Sequence, residues 1–360
     1  MKLAVVDAGT GRRAASVVRE DVRPGTHHDV LTSMIGGLNP ALASSLVGAG
    51  HRVVHGGPDY VDAVVVDDGV VAGLEALVPL APLHLPANID GMVAVGRALP
   101  QLGQVAVFDT GFHRTLPPRA YRYAVPAEWY EDHGARRYGF HGISCRYVLG
   151  RTAELLGRPP SDMRIVVAHL GNGCSATAVR DAKSLDTSMG FTPLEGLVMG
   201  TRSGDVDPGL LAYLAPRLGL DLPQVVDVLN TRSGLAGLSG VGGDVRDVSA
   251  AAAAGSADAA LALEVFAYRL AKTVAALAVP LERLDALVFT GGIGEHSAEV
   301  RSQVLAGLGL LGLAEDPEAN APHGTRTDGR ISAVGATVAL VVPTDEERVI
   351  AADTARLLAL

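Results

Sequence analysis

A chain of 360 residues, 48% of them hydrophobic, is long enough to bury the cores of two domains; with aromatics at only 4%, those cores must be built from Ala, Val and Leu. The formal net charge of −9, with no dense Lys/Arg run, argues against a nucleic-acid partner. Two cysteines, Cys145 and Cys174, exclude a disulfide framework and a cysteine metal site, and their small apolar neighbours predict buried, inert thiols.

The chain opens on MKLAVVDAGTGRR, which lacks the apolar core of a signal peptide, and charge breaks the longest Ala/Leu-rich segment. A cytoplasmic protein with no membrane association is expected. Short β-branched runs then recur, each opening into glycines or polar residues. Leu3–Val6 leads into DAGT, Val105–Phe108 into DTGFH, and Ile165–Ala168 into HLGNG. Leu287–Phe289 leads into TGGIGE, and Val338–Val342 into PTDEE. Such runs suit strands buried on both faces of an α/β sheet, and open α/β sheets take ligands at the strands' C-terminal ends. Five strand ends are therefore expected at one site. The clearest helix spans Ser249–Val279, with a stripe of Leu261, Val265, Ala267, Leu270, Val274 and Leu277 ended by Pro280. Further helices are expected from Ala298 to about Leu308 and over Glu346–Leu360. These stripes read as core packing. No tandem repeat is present, although DAGTG and HLGNGCS echo one another as two strand–turn segments facing a nucleotide would.

The glycines of HLGNG (His169, Leu170, Gly171, Asn172, Gly173) let backbone N–H groups approach a phosphate, although Asn-Gly is equally the commonest hairpin turn. TGGIGEH (Thr290–His296) lies between a strand and a helix, an arrangement that favours negative charge at the helix start; it is neither a Walker loop nor a dinucleotide fingerprint. Asp109 stands at a strand end, where it can hold a metal through water, orient a substrate or act as a base. Arg52 in HRVVHGG and Arg202 in MGTRSGDVDPG lie in glycine-rich loops that suit an anion clamp. Arg136 and Arg137 read as surface charge. His84 of APLHLPAN and His141 of GFHG are candidate donors, and Glu346 and Glu347 are either dipole complements or metal ligands.

Taken together, HRVVHGG, PLAPLHLPAN, VFDTGFHRTLPPRAYRYAVP, RRYGFHGIS, VVAHLGNGCSATAV, SLDTSMGFTPLEGLVMGTRSGDVDPG, FTGGIGEHSAEVR and VVPTDEERVIA resemble the acetate kinase family, in that family's order. The resemblance implies an α/β protein of two actin-like (ribonuclease H-like) domains with a nucleotide cleft between them. It implies Mg²⁺-dependent, reversible transfer of a phosphoryl group from ATP to acetate or propionate, giving acyl phosphate and ADP, in a homodimer joined through the second domain. By that resemblance Arg52 and Arg202 bind the acceptor carboxylate and the transferring phosphoryl group. Asp109 is the catalytic acid, while His141 and Arg202 stabilise the transition state, and His84 is expected among the substrate-binding residues. His169–Gly173, Asp244, Val245 and Arg246, and Gly292, Ile293, Gly294, Glu295 and His296 contact the nucleotide. Asp7 and Glu346 bind the metal. Val54, Leu83, Phe140 and Pro193 line the acyl pocket. A carboxylate acceptor is already ionised at neutral pH, so Asp109 is better read as organising charge than as removing a proton.

The chain departs from the family at its start. DAGTGRRA replaces N-A-G-S-S-S-x-K, with Asp7 for Asn and Ala14 for Lys, leaving Arg12 or Arg13 as substitute cations. The region from about Gly11 to Ser45 is shorter than in the family, and Leu85 replaces a polar residue. The alternatives are a nucleotide-binding relative with reduced or no kinase activity, or a kinase for another carboxylate or phosphate acceptor. The expected division is residues 1–113 plus 348–360, and 114–347.

Overall fold

Where the apolar strands pair decides which of the polar residues that follow them become neighbours. The computed structural model describes residues 1–19, 22, 25–82 and 84–360. The chain divides into two units, one of Met1–Arg114, Phe140–Tyr147 and Asp345–Leu360 and one of Thr115–Gly139 and Val148–Thr344. The sequence-based division differs chiefly in placing 140–147 in the second.

In the first unit, β1 (Lys2–Val6) and β2 (Arg13–Val18) form an antiparallel hairpin. A separate sheet holds β3 (Gly48–Val53), β4 (Val64–Val65) and β5 (Gly103–Phe108) in the order β3-β5-β4. β5 is apolar on both faces because both are covered. Ala106 and Phe108 pack with Leu85, Ile89 and Met92 of the helix Leu85–Ala98. Their alternates Val105 and Val107 pack with Ile350 of the helix Glu346–Leu358. Fully burying a side chain such as Phe108 or Leu85 contributes about 2–3 kcal/mol. The outer edges of β1 and β3 pair with no other strand among the described residues, and both strands line a cavity of about 770 Å³ with Leu31, Val95 and Ile350.

The second unit holds one sheet of β6 (Arg164–Leu170), β7 (Cys174–Arg180), β8 (Lys183–Thr187), β9 (Ala286–Thr290) and β10 (Val338–Val341), in the order β10-β9-β6-β7-β8. β10, β9 and β6 run parallel, so their C-terminal ends share one edge, with His169 beside Thr290. The expected long helix is two, Val245–Ala253 and Ala257–Ala278. Gly255 at φ +96° ends the first, and the Ser256 side chain caps the second by accepting from the Ala259 N–H. Its buried face holds Leu263, Phe266, Leu270 and Val274, whereas Leu261, expected in the stripe, is exposed. The helix after TGGIGEH is Ala298–Ala306. Among the described residues, no helix is long and apolar enough to cross a membrane.

Candidate active site

In the first unit, the parallel register sets Val53 of β3 beside Phe108 of β5, which brings Arg52 and Asp109 together. The Arg52 Nε donates to Asp109 Oδ1 at 3.1 Å and Nη2 donates to Oδ2, a two-pronged charge-assisted pair. The Asp109 side chain is 1% exposed, whereas the guanidinium is 41% exposed. Glu346 Oε2 lies 3.7 Å from Arg52 Nε. The Asp109 charge raises the Arg52 pKa against the opposing effect of burial, with Glu346 adding to the rise. The guanidinium therefore stays charged and keeps one outward face.

Around this pair, Val54 is buried and its N–H donates to Asn88 Oδ1 at 3.0 Å. Phe140 is buried with its ring edge-on to His55 at 5.5 Å. His84 precedes the helix Leu85–Ala98, and its carbonyl accepts from the Asn88 N–H at 3.2 Å. His141 has φ 57°, a left-handed conformation that costs a non-glycine residue strain and concentrates at functional positions. Leu83 lies outside the described residues. Asp7 Oδ1 accepts from both the N–H and the hydroxyl of Thr10, which holds the Asp7 pKa below the usual carboxylate range. Asp7 and Glu346 line the same cavity, offering two hard carboxylates. No group of three or more His, Cys, Asp or Glu that could hold a metal occurs among the described residues. This donor set fits Mg²⁺, which takes one or two carboxylates and completes its shell with phosphates and water. Arg13 donates to Asp345 at 3.0 Å and Glu347 at 3.1 Å, and Lys2 also pairs with Glu347. Glu347 is thus a neutralising partner, and Arg13 is engaged rather than free to replace the missing Lys.

In the second unit, HLGNG takes the ordinary hairpin geometry between β6 and β7, and the Gly171 N–H donates to the Gly173 carbonyl at 3.0 Å. Asn172 at the tip is exposed. Gly291 begins the helix Gly291–His296 at φ +76°, and a Cβ there would lie 2.7 Å from the Leu170 carbonyl oxygen. Only glycine fits. Glu295 Oε1 accepts from the Gly291 and Thr344 N–H groups, each at 3.0 Å, joining the ends of β9 and β10. Gly292 and His296 are exposed, while Ile293 and Gly294 are buried. Asp244 caps the helix Val245–Ala253 and is held at about 2 by hydrogen bonds from Arg246, which folds back on it; Val245 is buried. Arg202 is half-buried, its Nη1 donating to the Pro193 carbonyl at 3.1 Å. Burial lowers its pKa, and it has no carboxylate partner among the described residues. A guanidinium with spare donors suits an anion. Cys174 and Cys145 are buried, and burial pushes the Cys174 thiol up to about 12, far from a reactive thiolate.

Arg136 and Arg137 are not surface charge. Arg136 stacks 3.9 Å from the Tyr121 ring centroid. Arg137 donates to the carbonyls of Thr187, Ser188 and Met189 and pairs with Glu195 at 2.5 Å, and Tyr123 donates to the same carboxylate. This cluster anchors the segment that carries Pro193. Arg301, also unanticipated, is fully buried and donates to the carbonyls of Gly294 and Glu295 and to Asn320. Its only sequence signal is its position among the buried Val300, Val304 and Leu305 of one helix.

The Acetokinase family model matches residues 10–352. An acetate kinase of Stutzerimonas stutzeri is 51% identical over 352 residues, covering 98% of this chain and 88% of the relative. One of Deinococcus radiodurans is 55% identical over 314 residues, covering 87% and 79%. The crystal structure of a propionate kinase from Francisella tularensis superposes with a TM-score of 0.92 at 39% identity, covering 99% of this chain and 96% of that one. That of the Porphyromonas gingivalis acetate kinase gives 0.87 at 41% identity, covering 96% and 88%. The paired strand ends, the glycine turns and these likenesses agree over nearly the whole chain: it belongs to the acetokinase family of phosphotransferases and has the family's actin-like α/β fold.

Proposed function

We propose that this protein is an acetate kinase that transfers the γ-phosphoryl group of ATP reversibly to acetate, and less selectively to propionate. A carboxylate oxygen attacks the γ-phosphorus, the bond to the ADP oxygen breaks, and its electron pair leaves with ADP; no proton needs to move. The observation that carries this reading is the Arg52–Asp109 pair beside Glu346, which holds a charged guanidinium with one face open. With Arg202, it opposes the repulsion between an anionic acceptor and a triphosphate. Asp109 orients Arg52. His141 donates toward the transferring phosphoryl group, and His84 supports the acceptor. Val54, Phe140 and Pro193, with Leu83, surround the acyl methyl; such a pocket separates one methylene by only ~1–3 kcal/mol, which admits propionate.

The turns at His169–Gly173, Asp244–Arg246 and Gly292–His296 contact the nucleotide, making the second unit the nucleotide-binding domain and the first the acyl domain. Mg²⁺ bound with ATP would neutralise phosphate charge, with Asp7 and Glu346 as its carboxylates. A cytoplasmic homodimer is part of the same reading. Exposed Leu210, Tyr213, Leu222, Leu261 and Tyr268 on helices of the second unit support the dimer.

Hydroxylamine trapping of acyl phosphate, with Mg²⁺-ATP and acetate, propionate or butyrate, tests the proposal. Product with acetate is expected. The engagement of Arg13 by Asp345 and Glu347 favours a second reading, a relative with weakened ATP use. ATP binding without product from any of the three acids would support it.

A further inference from the structure

His113 is a buried imidazole that the reaction above does not use. It ends the short segment Asp109–His113, which is tied to β3 by the Arg52–Asp109 pair and by the Asp109 N–H bond to the Val53 carbonyl. Three further hydrogen bonds link the segment to other parts of the first unit. The Gly56 N–H donates to Thr110 Oγ1 at 3.1 Å. The other two bracket His141. His113 Nε2 lies 2.8 Å from the Phe140 carbonyl oxygen, and because a carbonyl only accepts, Nε2 carries the proton. On the far side, the Gly142 N–H donates to the Asp109 carbonyl at 2.8 Å. The residue between, His141, has the left-handed φ of 57°. Gly142 comes so close that a Cβ would strike the Asp109 carbonyl oxygen and lie 2.8 Å from Phe112 Cβ. Burial holds His113 down to about 4, so its ring is neutral at working pH and acts as a fixed donor.

A strained φ persists only where its surroundings over-determine it. Here the constraint comes from hydrogen bonds to the two peptide units that flank His141, both from the segment that carries Asp109. We infer that His113 is a positioning residue: its hydrogen bond to the Phe140 carbonyl holds His141 in the left-handed conformation that aims the imidazole at the transferring phosphoryl group. The inference rests on the catalytic reading of His141 given above. It couples that side chain to Asp109 through backbone geometry, so the two move as one constellation. A misplacement of about 1 Å at a reacting group can cost on the order of 100-fold in rate.

The test compares His113→Leu, His113→Gln, Gly142→Ala, His141→Ala and the His113→Leu/His141→Ala double variant in steady-state kinetics, with ATP affinity measured by calorimetry. His113→Leu is expected to lower kcat between about 10- and 100-fold, leaving KM for ATP and its Kd within about twofold. Gln, whose amide nitrogen reaches about as far as Nε2, should recover most of that loss. Gly142→Ala, which pushes the same contact from the other side, should reproduce it if the Leu variant does not fold. In the double variant the His113 change should add less than about twofold, since residues acting as one unit are not additive. The inference is overturned if His113→Leu leaves kcat intact while His141→Ala abolishes turnover, or if Gln behaves as Leu with kcat and both KM values falling out together. If His141→Ala itself retains turnover, the catalytic reading of His141 falls, and this inference with it.

Discussion

The two units hold their charged groups by different means. In the second, β10, β9 and β6 lie side by side in one sheet, and Glu295 ties the ends of two of them through backbone N–H groups. The arginine proposed here to meet the phosphoryl group, Arg202, has no carboxylate partner among the described residues. In the first, β1 stands off β3 across a cavity of about 770 Å³, and the arginine is locked to a buried carboxylate. In the second unit the segment beside Arg202 is held by backbone hydrogen bonds and by the Arg137–Glu195–Tyr123 cluster, so Arg202 itself needs no carboxylate to stay in place. In the first unit, ion pairs such as Arg52–Asp109 and Arg13–Glu347 do the holding, so the arginine proposed to meet the acceptor also carries part of the unit's stability.

That contrast breaks hardest at the arginines. Arg52→Met leaves Asp109 buried without its counter-charge, and breaking a buried pair costs about 3–5 kcal/mol, here at the lower end because the guanidinium is 41% exposed. Turnover should fall by at least about 1000-fold and calorimetry should show the lost stability. Arg202→Met should cost as much turnover but leave Tm within about a degree or two, since it removes a desolvated cation with no carboxylate partner and one hydrogen bond to the Pro193 carbonyl. Equal destabilisation by the two would remove the distinction.

Acid should separate the units next. Burial holds His51 and His113, both in the first unit, at about 4. Above pH ~6.5 the folded and unfolded states are both neutral at these positions and stability is flat. Between ~6.5 and about 4 the unfolded chain binds protons that the folded one does not, so stability falls as pH falls, then levels off once both states are protonated. At pH ~5.5 the loss should be about 2 kcal/mol, and hydrogen exchange should show the first unit opening before the second. Simultaneous opening would contradict this.

Gly291→Ala probes the second unit's reliance on backbone geometry. The left-handed φ and the nearby Leu170 carbonyl should cost about 1–3 kcal/mol. KM for ATP should rise about tenfold with KM for acetate unchanged, as kinetics with each substrate varied would show. The smallest effect concerns packing. Ala49→Leu, facing the cavity, should stabilise by about 0.5–1 kcal/mol, whereas Ala178→Leu in the filled sheet should destabilise by about 1–3. Denaturant titrations that gave the same sign for both would mean the cavity is not fillable.

Much of this was legible in local pattern. The runs before DTGFH, HLGNG and TGGIGE are strands because β-branched residues bounded by glycines are buried on two faces. The helix prediction over Ser249–Val279 missed its break, because an Ala-rich stretch hides Gly255 until its positive φ is seen. Arg137 and Arg301 were missed for a general reason. A buried arginine satisfied by carbonyls has the same sequence signature as an exposed one, since its partners are backbone atoms that any residue supplies.

The sequence by itself determined the elements, the glycine turns and the family, because these depend on contacts within a few residues and on motifs kept in order. Only the tertiary structure decided that Arg52 faces Asp109 across two parallel strands, that Arg13 is taken up by Asp345 and Glu347, and that His141 is strained between two hydrogen bonds from a segment about thirty residues away. Those facts depend on strand register and on which carbonyl a buried donor meets, and neither is written in the identity of the residue that bears it.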